Sequence, residues 1–289
     1  MAVCSITADL VWGAKRMATG SSIDSDRLFD QRAPIQVIQV SDPHLFQDPS
    51  ACLLGMNTHN SFVQVLELIQ RNHPHIDLVL ATGDIAQAPA LETYARFHQL
   101  LTQLNAPQHW LQGNHDLDQL FLDGSIPHAC SSPSVIALGN WRIIMLNSSE
   151  DHEVAGHFSR HELEWLQHAL QATRGFHTIV ALHHHPIAVG SRCLDAHMLT
   201  DSFPFWRMIE QHPHVRSILH GHVHQVFETA RGHTSIYACP STCIQFKPLS
   251  REFALDRVPP GYRWLTLHAD GKLETGVQRL AEIPSGGDF

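Results

Sequence analysis

The chain has 289 residues, six cysteines and a formal charge of −9, from 19 Lys and Arg against 28 Asp and Glu. That length is ample for a self-sufficient core, and the cysteines (Cys4, Cys52, Cys130, Cys193, Cys239 and Cys243) form no C-x-x-C pair, so they read as reduced thiols rather than a disulfide framework. An acidic chain with no basic cluster excludes a long nucleic acid partner, and no apolar run reaches the roughly 18 to 20 residues of a membrane span. The N-terminus carries Lys15 and Arg16 after its apolar stretch, the wrong order for a secretory signal. The expectation is a cytoplasmic protein without a membrane partner, its oligomeric state left open.

Residues 1–33 lack apolar periodicity and end in the polar stretch "SSIDSDRLFDQRAP", which predicts a loosely ordered extension before a single domain over 34–289. From Ile35 the pattern alternates: a strand "IQVIQV", a helix over 60–70, a strand "DLVLA", a helix over 90–104 and a strand "HWL". Such β-α-β-α-β order marks a layered α/β domain. Strands near 135–138 and 142–147 follow, then a helix over about 160–171 opened by Ser159 and Glu162 in capping-box spacing. "HTIVALH", "VRSILH", "QVFETA", "TSIYA" and "RWLTLHA" are further strands, and the short turns between the later ones predict antiparallel hairpins. The simplest assembly is two mixed sheets packed face to face with helices outside.

Five polar clusters stand directly after strands: "SDPHLF", "TGDIAQ", "GNHD", "LHHHP" and "HGHVH". Strand C-terminal ends are where α/β sheets place ligands, and carboxylate, imidazole and amide oxygen suit metals of borderline softness. Where the backbone is extended, D-x-H and H-x-H turn two side chains to one side, which pairs Asp42 with His44 and His222 with His224. Gly83 and Gly221 allow the backbone to come close to an ion. Each cluster alone is an ordinary turn or a backbone-satisfied histidine; their conjunction is hard to reach by chance.

The blocks Asp42-Pro43-His44, Gly83-Asp84, Gly113-Asn114-His115-Asp116, His183 and Gly221-His222-Val223-His224 resemble those of the calcineurin-like metallophosphoesterases, a fold of two mixed β-sheets flanked by helices. Val180-Ala181-Leu182-His183 fits the fourth block, which makes His183 the ligand among the three consecutive histidines and leaves His184 and His185 to line the site or fix the turn into Pro186. "LLGMNT", "PSTCIQFKP" and "LHADG" are similar to the bacterial class III cyclic-AMP phosphodiesterases over residues from about 35 nearly to the C-terminus. Pro43 departs from a commoner Thr or Ser and removes a backbone N–H.

The resemblance implies two divalent metal ions, iron or manganese, with zinc or cobalt also compatible. Asp42, His44, Asp84 and His224 would hold one; Asp84, Asn114, His183 and His222 the other, with Asp84 bridging. Such a pair supplies hydroxide near neutral pH and stabilises an in-line displacement at phosphorus. Two divalent ions less two carboxylates and one hydroxide leave a local charge of about +1, which suits a phosphodiester monoanion inside an acidic protein. His115 is left free to hydrogen-bond the phosphoryl oxygen or to protonate the leaving 3′ oxygen, with Asp116 as its orienting partner; His44, Asp84, Asn114, His115 and His224 would also contact the substrate phosphate. The implied reaction is hydrolysis of the small molecule 3′,5′-cyclic AMP to 5′-AMP. Alternatives are a broader phosphodiesterase of the same fold, acting on glycerophosphodiesters, 2′,3′-cyclic nucleotides or a lipid pyrophosphate, and a non-catalytic metal-binding scaffold. Asn57 and the stretch from Cys239 to Phe246 are the regions suspected for a base pocket, with Phe246 as simple core the competing reading.

Overall fold

A computed structural model describes residues 33–116, 118–122, 125–126 and 133–284. The expected N-terminal extension lies outside them apart from its last residue. In sequence order the elements are β1 (Ile35–Val40), β2 (Cys52–Leu53), β3 (Met56–Asn57), α1 (Thr58–Asn72), β4 (Leu78–Thr82), α2 (Leu91–Leu101), β5 (Gln108–Leu111) and α3 (Asp118–Leu122). Then come β6 (Ser134–Leu138), β7 (Trp141–Met145), α4 (Arg160–Ala172), β8 (His177–Ala181), α5 (Arg192–Asp195) and α6 (Ser202–Glu210). The last elements are β9 (Val215–His220), β10 (Glu228–Arg231), β11 (Thr234–Ala238), β12 (Gln245–Phe246), β13 (Leu255–Asp256), β14 (Gly261–Leu267) and β15 (Leu273–Arg279).

Two large sheets form, in strand order β15-β14-β1-β4-β5 and β10-β11-β9-β8-β7-β6, beside the two-stranded pairs β2-β3 and β12-β13. Their central strands are buried on both faces, so they read as near-continuous apolar runs, and neighbours along one strand serve different layers. Val37, Leu78 and Leu80 pack with Ile143, Met145, Ile179 and Leu219 between the sheets, whereas Ile38, Val40 and Val79 pack with Phe62, Val65, Phe97 and Trp110 beneath α1 and α2. On the far side α4 and α6 close over Ile144, Val180 and Ile218 with Leu166, Leu170, Phe205 and Trp206. The result is helix, sheet, sheet, helix, as the alternating pattern predicts.

The caps follow local chemistry. Asn57 accepts from Asn60 N at 2.7 Å to open α1, and Ser159 Oγ accepts from Glu162 N at 3.0 Å to open α4, while Glu162 itself accepts from Asn147 N. Pairing differs from the hairpin expectation in part. β10–β11 and β14–β15 are antiparallel hairpins, but β11 lies parallel to β9 and β14 crosses to the other sheet beside β1. Each takes the partner that buries both its faces, a gain that a tight turn alone does not offer. β15 is missing from the expected strands because it is a half-exposed edge containing Gly276, with little apolar alternation.

The strands β1, β4 and β5 run parallel, as do β7, β8 and β9. All of the polar clusters therefore leave the same edge of the sandwich.

Candidate metal centre

The side chains that meet at that edge do not come from extended backbone. Asp42, His44, Asp84, His222 and His224 have φ of 53°, 46°, 51°, 65° and 45°, so the expected strand-like geometry of D-x-H and H-x-H is corrected. Five of the nine described non-glycine residues with positive φ are these, a concentration of strain that costs on the order of 1–3 kcal/mol per residue and persists only where surroundings over-determine it. Hydrogen bonds supply the bracing: Asp42 N to Gly83 O and His44 N to Asp84 O, both 3.0 Å, and Ser241 Oγ to Asp42 O at 2.7 Å. Glycine is required at three close approaches. A Cβ on Gly83 would come within 2.4 Å of His183 Nδ1, one on Gly113 within 2.2 Å of Asp84 Oδ1, and one on Gly221 within 2.7 Å of Asp42 Oδ2.

The distances define two adjoining sets of donors. Asp84 Oδ2 lies 3.5 Å from His44 Nε2 and 3.4 Å from His183 Nε2, between both sets. His224 Nε2 is 3.4 Å from Asp42 Oδ1 and 3.1 Å from His44 Nε2; His222 Nδ1 is 3.3 Å from His183 Nε2. Outer hydrogen bonds set the tautomers, since His183 Nδ1 donates to Thr82 O at 2.8 Å and His224 Nδ1 to Ile244 O at 2.9 Å, leaving each Nε2 lone pair to face inward. Asn114 Oδ1 is buried without a hydrogen-bond partner. Imidazole lone pairs aimed at one another, an orphaned amide oxygen and two buried carboxylates are unstable together in a dry site. The donor set fits divalent cations.

Electrostatics tell the same story. Burial would raise Asp84, yet His183 and His44 hold its carboxylate well below the usual range. Asp42 is likewise lowered, with His224 and His183 outweighing burial. Burial pushes His44 down to about 3. His183 goes the other way: burial opposes its charge, but Asp84 and Asp42 raise it to about 9. Without metal, His183 keeps a proton in a cation's place. Its folded value exceeds the unfolded ~6.5, so the stabilisation is complete below pH ~6.5 and is lost as pH rises through about 9. Chelator-treated protein is therefore expected to melt progressively lower between those limits, a dependence that thermal scans with and without metal would reveal and that loaded protein should lack.

Asp116 is placed differently from its expected role. Its Oδ2 accepts from Ile85 N and Gly113 N, its Oδ1 from Ala86 N and Tyr94 Oη. The expectation that it orients His115 is corrected: Gln87 faces His115 Nδ1, through its carbonyl oxygen and its side-chain amide, both at 3.4 Å. Asp116 ties the second loop to the third because four donors converge on it. Burial and the charge of Asp84 push it up to about 6. In Asp116→Asn, measured at pH 7.5 where the carboxylate is ionised, the amide nitrogen would strand two donors. We expect a loss of roughly 2–4 kcal/mol and a Tm lower by about 5–10 °C; an unchanged Tm refutes the clamp.

His115 meets the ring of His44 edge-on at 4.9 Å, and its backbone N donates to Asp84 Oδ1 at 2.9 Å. His44, Asp84 and His115 also lie close enough to share one ion. His184 has both nitrogens engaged, by Ser148 Oγ at 2.9 Å and Val154 O at 3.2 Å, and His185 stacks on His222 at 5.7 Å. Asn57 caps α1 and donates to Pro49 O, which gives it a structural role independent of any base. Phe246 is neither free wall nor plain core: its ring lies flat on His224 at 4.1 Å. The sequence reading missed Gln87, although it closes the quoted "TGDIAQ" cluster, and missed Tyr94 and Ser148, which no local pattern marks.

Two sheets face to face, with metal-binding donors gathered from successive strand ends, define a metal-dependent phosphoesterase. The chain belongs to the calcineurin-like phosphoesterases, whose family profile matches residues 35–226. It is 39% identical over 251 residues to the 3′,5′-cyclic adenosine monophosphate phosphodiesterase CpdA of Pseudomonas aeruginosa, covering 87% of this chain and 92% of that one. It is 38% identical to the CpdA of Escherichia coli K12, over 86% and 91%. The 3′,5′-cyclic-nucleotide phosphodiesterase alr5338 of Nostoc is 34% identical, over 87% and 94%. A dimetal phosphatase from Danio rerio shares the fold at 13% identity and a TM-score of 0.58, covering 85% of this chain and 98% of that one. Among the described residues no helix is long and apolar enough to cross a membrane.

Proposed function

We propose that this protein hydrolyses 3′,5′-cyclic AMP to 5′-AMP with two divalent metal ions. The observation that carries the reading is the convergence of inward-facing imidazole and carboxylate donors around Asp84 Oδ2, in a protein 34–41% identical to several proteins named as cyclic-nucleotide phosphodiesterases. Asp42, His44, Asp84 and His224 would hold one ion; Asp84, Asn114, His183 and His222 the other. The metals, when bound, supply a nucleophile from water at neutral pH and neutralise charge on the phosphoryl group. Mixed nitrogen and oxygen donors are compatible with iron, manganese, zinc and cobalt alike; iron or manganese is what the resemblance to the family implies.

The protein's own residues do the rest. Asp84, set between the two halves, fixes their separation and with it the in-line path. His44, Asn114 and His224 line the phosphate, and His115, held at Nδ1 by Gln87, presents Nε2 to the departing 3′ oxygen and protonates it. Buried walls exclude bulk water, which strengthens each of these charges.

The test is kcat/KM for 3′,5′-cyclic AMP, 2′,3′-cyclic AMP and an aryl phosphodiester, on protein reconstituted separately with manganese and with iron. A lead of about tenfold, or 1.4 kcal/mol in barrier, for 3′,5′-cyclic AMP with 5′-AMP as product upholds the proposal. A lead for the aryl diester or the 2′,3′ isomer replaces it with a broader phosphodiesterase at the same site. Turnover of none by metal-loaded protein would leave a scaffold.

A further inference from the structure

The segment that follows β11 grips His224 at three points. Ile244 O accepts from His224 Nδ1 at 2.9 Å, Phe246 N donates to His224 O at 3.2 Å, and the Phe246 ring lies parallel to the imidazole, 4.1 Å away and 4° out of plane. The opposite edge of His224 faces Asp42 and His44. An aromatic surface thus begins at the reacting centre and continues outward, because Phe253 meets Phe246 edge-on at 5.1 Å and 70°. Phe253 is 56% exposed. Its ring lies within about 9 Å of the His224 ring, the two stacking contacts taken end to end.

The loop carrying Phe253 is braced. Lys247 N donates to Ala254 O at 2.8 Å, β12 pairs with β13, and Arg192 N donates to Ser250 O at 3.0 Å. Leu249 sits so close to Gly190 that a Cβ there would come within 2.8 Å of it. An open aromatic face is therefore held in place rather than left to fold inward. Of the eight large hydrophobic residues exposed among the described ones, only Phe203 and Phe253 are aromatic, and Phe203 lies on α6 rather than on the loop that meets Phe246. Asn57, the amide suspected for the base, donates to Pro49 O and caps α1.

We propose that Phe246 and Phe253 form the nucleobase wall of this site: Phe246 seats His224, and Phe253 offers its open face to the purine. The inference rests on the cyclic-nucleotide reading above. Stacking is tolerant of base identity, so cyclic GMP is accepted about as well as cyclic AMP and pyrimidine cyclic nucleotides less well.

The experiment uses the full manganese-reconstituted protein and the variants Phe253→Ala, Phe253→Trp and, as a control at the other exposed aromatic side chain, Phe203→Ala. KM and kcat are measured for 3′,5′-cyclic AMP and for its abasic analogue, the 3′,5′-cyclic phosphate of 1-deoxyribose. Binding of 5′-AMP and of ribose 5-phosphate is measured by calorimetry. Phe253→Ala is expected to raise KM for cyclic AMP by about 5- to 100-fold, to erase the preference over the abasic analogue, and to leave kcat nearly unmoved. Phe253→Trp restores the preference, and Phe203→Ala behaves as the parent protein. An equal change for base-bearing and abasic ligands, or none, overturns the wall. The two readings fail separately: if the parent protein favours an aryl diester yet Phe253→Ala alone loses the preference for 5′-AMP over ribose 5-phosphate, the substrate is wrong and the wall stands.

Discussion

Asp84→Asn is expected to hold fewer than two metal ions per molecule by elemental analysis and to lose the greater part of its phosphodiesterase activity. One carboxylate oxygen stands 3.5 Å from His44 Nε2 and 3.4 Å from His183 Nε2, while the other accepts from His115 N at 2.9 Å. An asparagine can present its oxygen to the imidazoles or to the backbone donor, not to both. It also removes a unit of negative charge from a buried place where His183 and His44 had stabilised it. Losing an outer-shell hydrogen bond to a metal ligand costs about 10- to 100-fold in affinity; a carboxylate shared by both ions should cost more. Two metals per molecule in this variant, at ordinary affinity, would remove Asp84 from the bridging position. The same variant should depend less on pH than the metal-free parent does, since His183 has lost the larger of its two carboxylate partners and keeps only Asp42.

His115→Ala is expected to retain both metals and to lose roughly 10²- to 10⁴-fold in kcat, the range that a positioned proton donor contributes. Two features set this apart from a ligand deletion. His115 is half-buried rather than enclosed, and among the described residues its Nδ1 meets Gln87 in two approaches of 3.4 Å, long enough to tighten when a substrate arrives. A substrate with an acidic phenol as leaving group needs little protonation, so the variant should lose much less on an aryl diester than on an alkyl one. That difference is the decisive readout, because His115 is also close enough to His44 and Asp84 to share an ion. If metal content falls with activity and both diesters suffer equally, His115 is a ligand and not the acid. Gln87→Ala should move kcat in the same direction by a smaller factor and leave KM alone.

The layered α/β order, the helix over 160–171 and most strand centres are legible in the residues because burial imposes a period on them. Ile38 and Val40 face the helices while Val37 faces the other sheet, and such a strand must be apolar throughout. The donor clusters are legible for a related reason: each follows an apolar run, where a parallel strand ends. What the residues do not reveal is β15, whose exposed edge carries no pattern, and the parallel seat of β11 beside β9, which depends on what each face buries rather than on a turn.

By itself the sequence determined which side chains stand at the strand ends and in what order, since donor type and spacing are local properties. Only the tertiary structure decided how they are aimed. The left-handed backbone at Asp42, His44, Asp84, His222 and His224 is held by hydrogen bonds between loops as much as 199 residues apart; Asp and His tolerate it better than most residues, but local propensity does not impose it. Asp116 became a clamp and not an orienter for the same reason: its four donors, from Ile85, Ala86, Tyr94 and Gly113, come together only when two strands lie side by side.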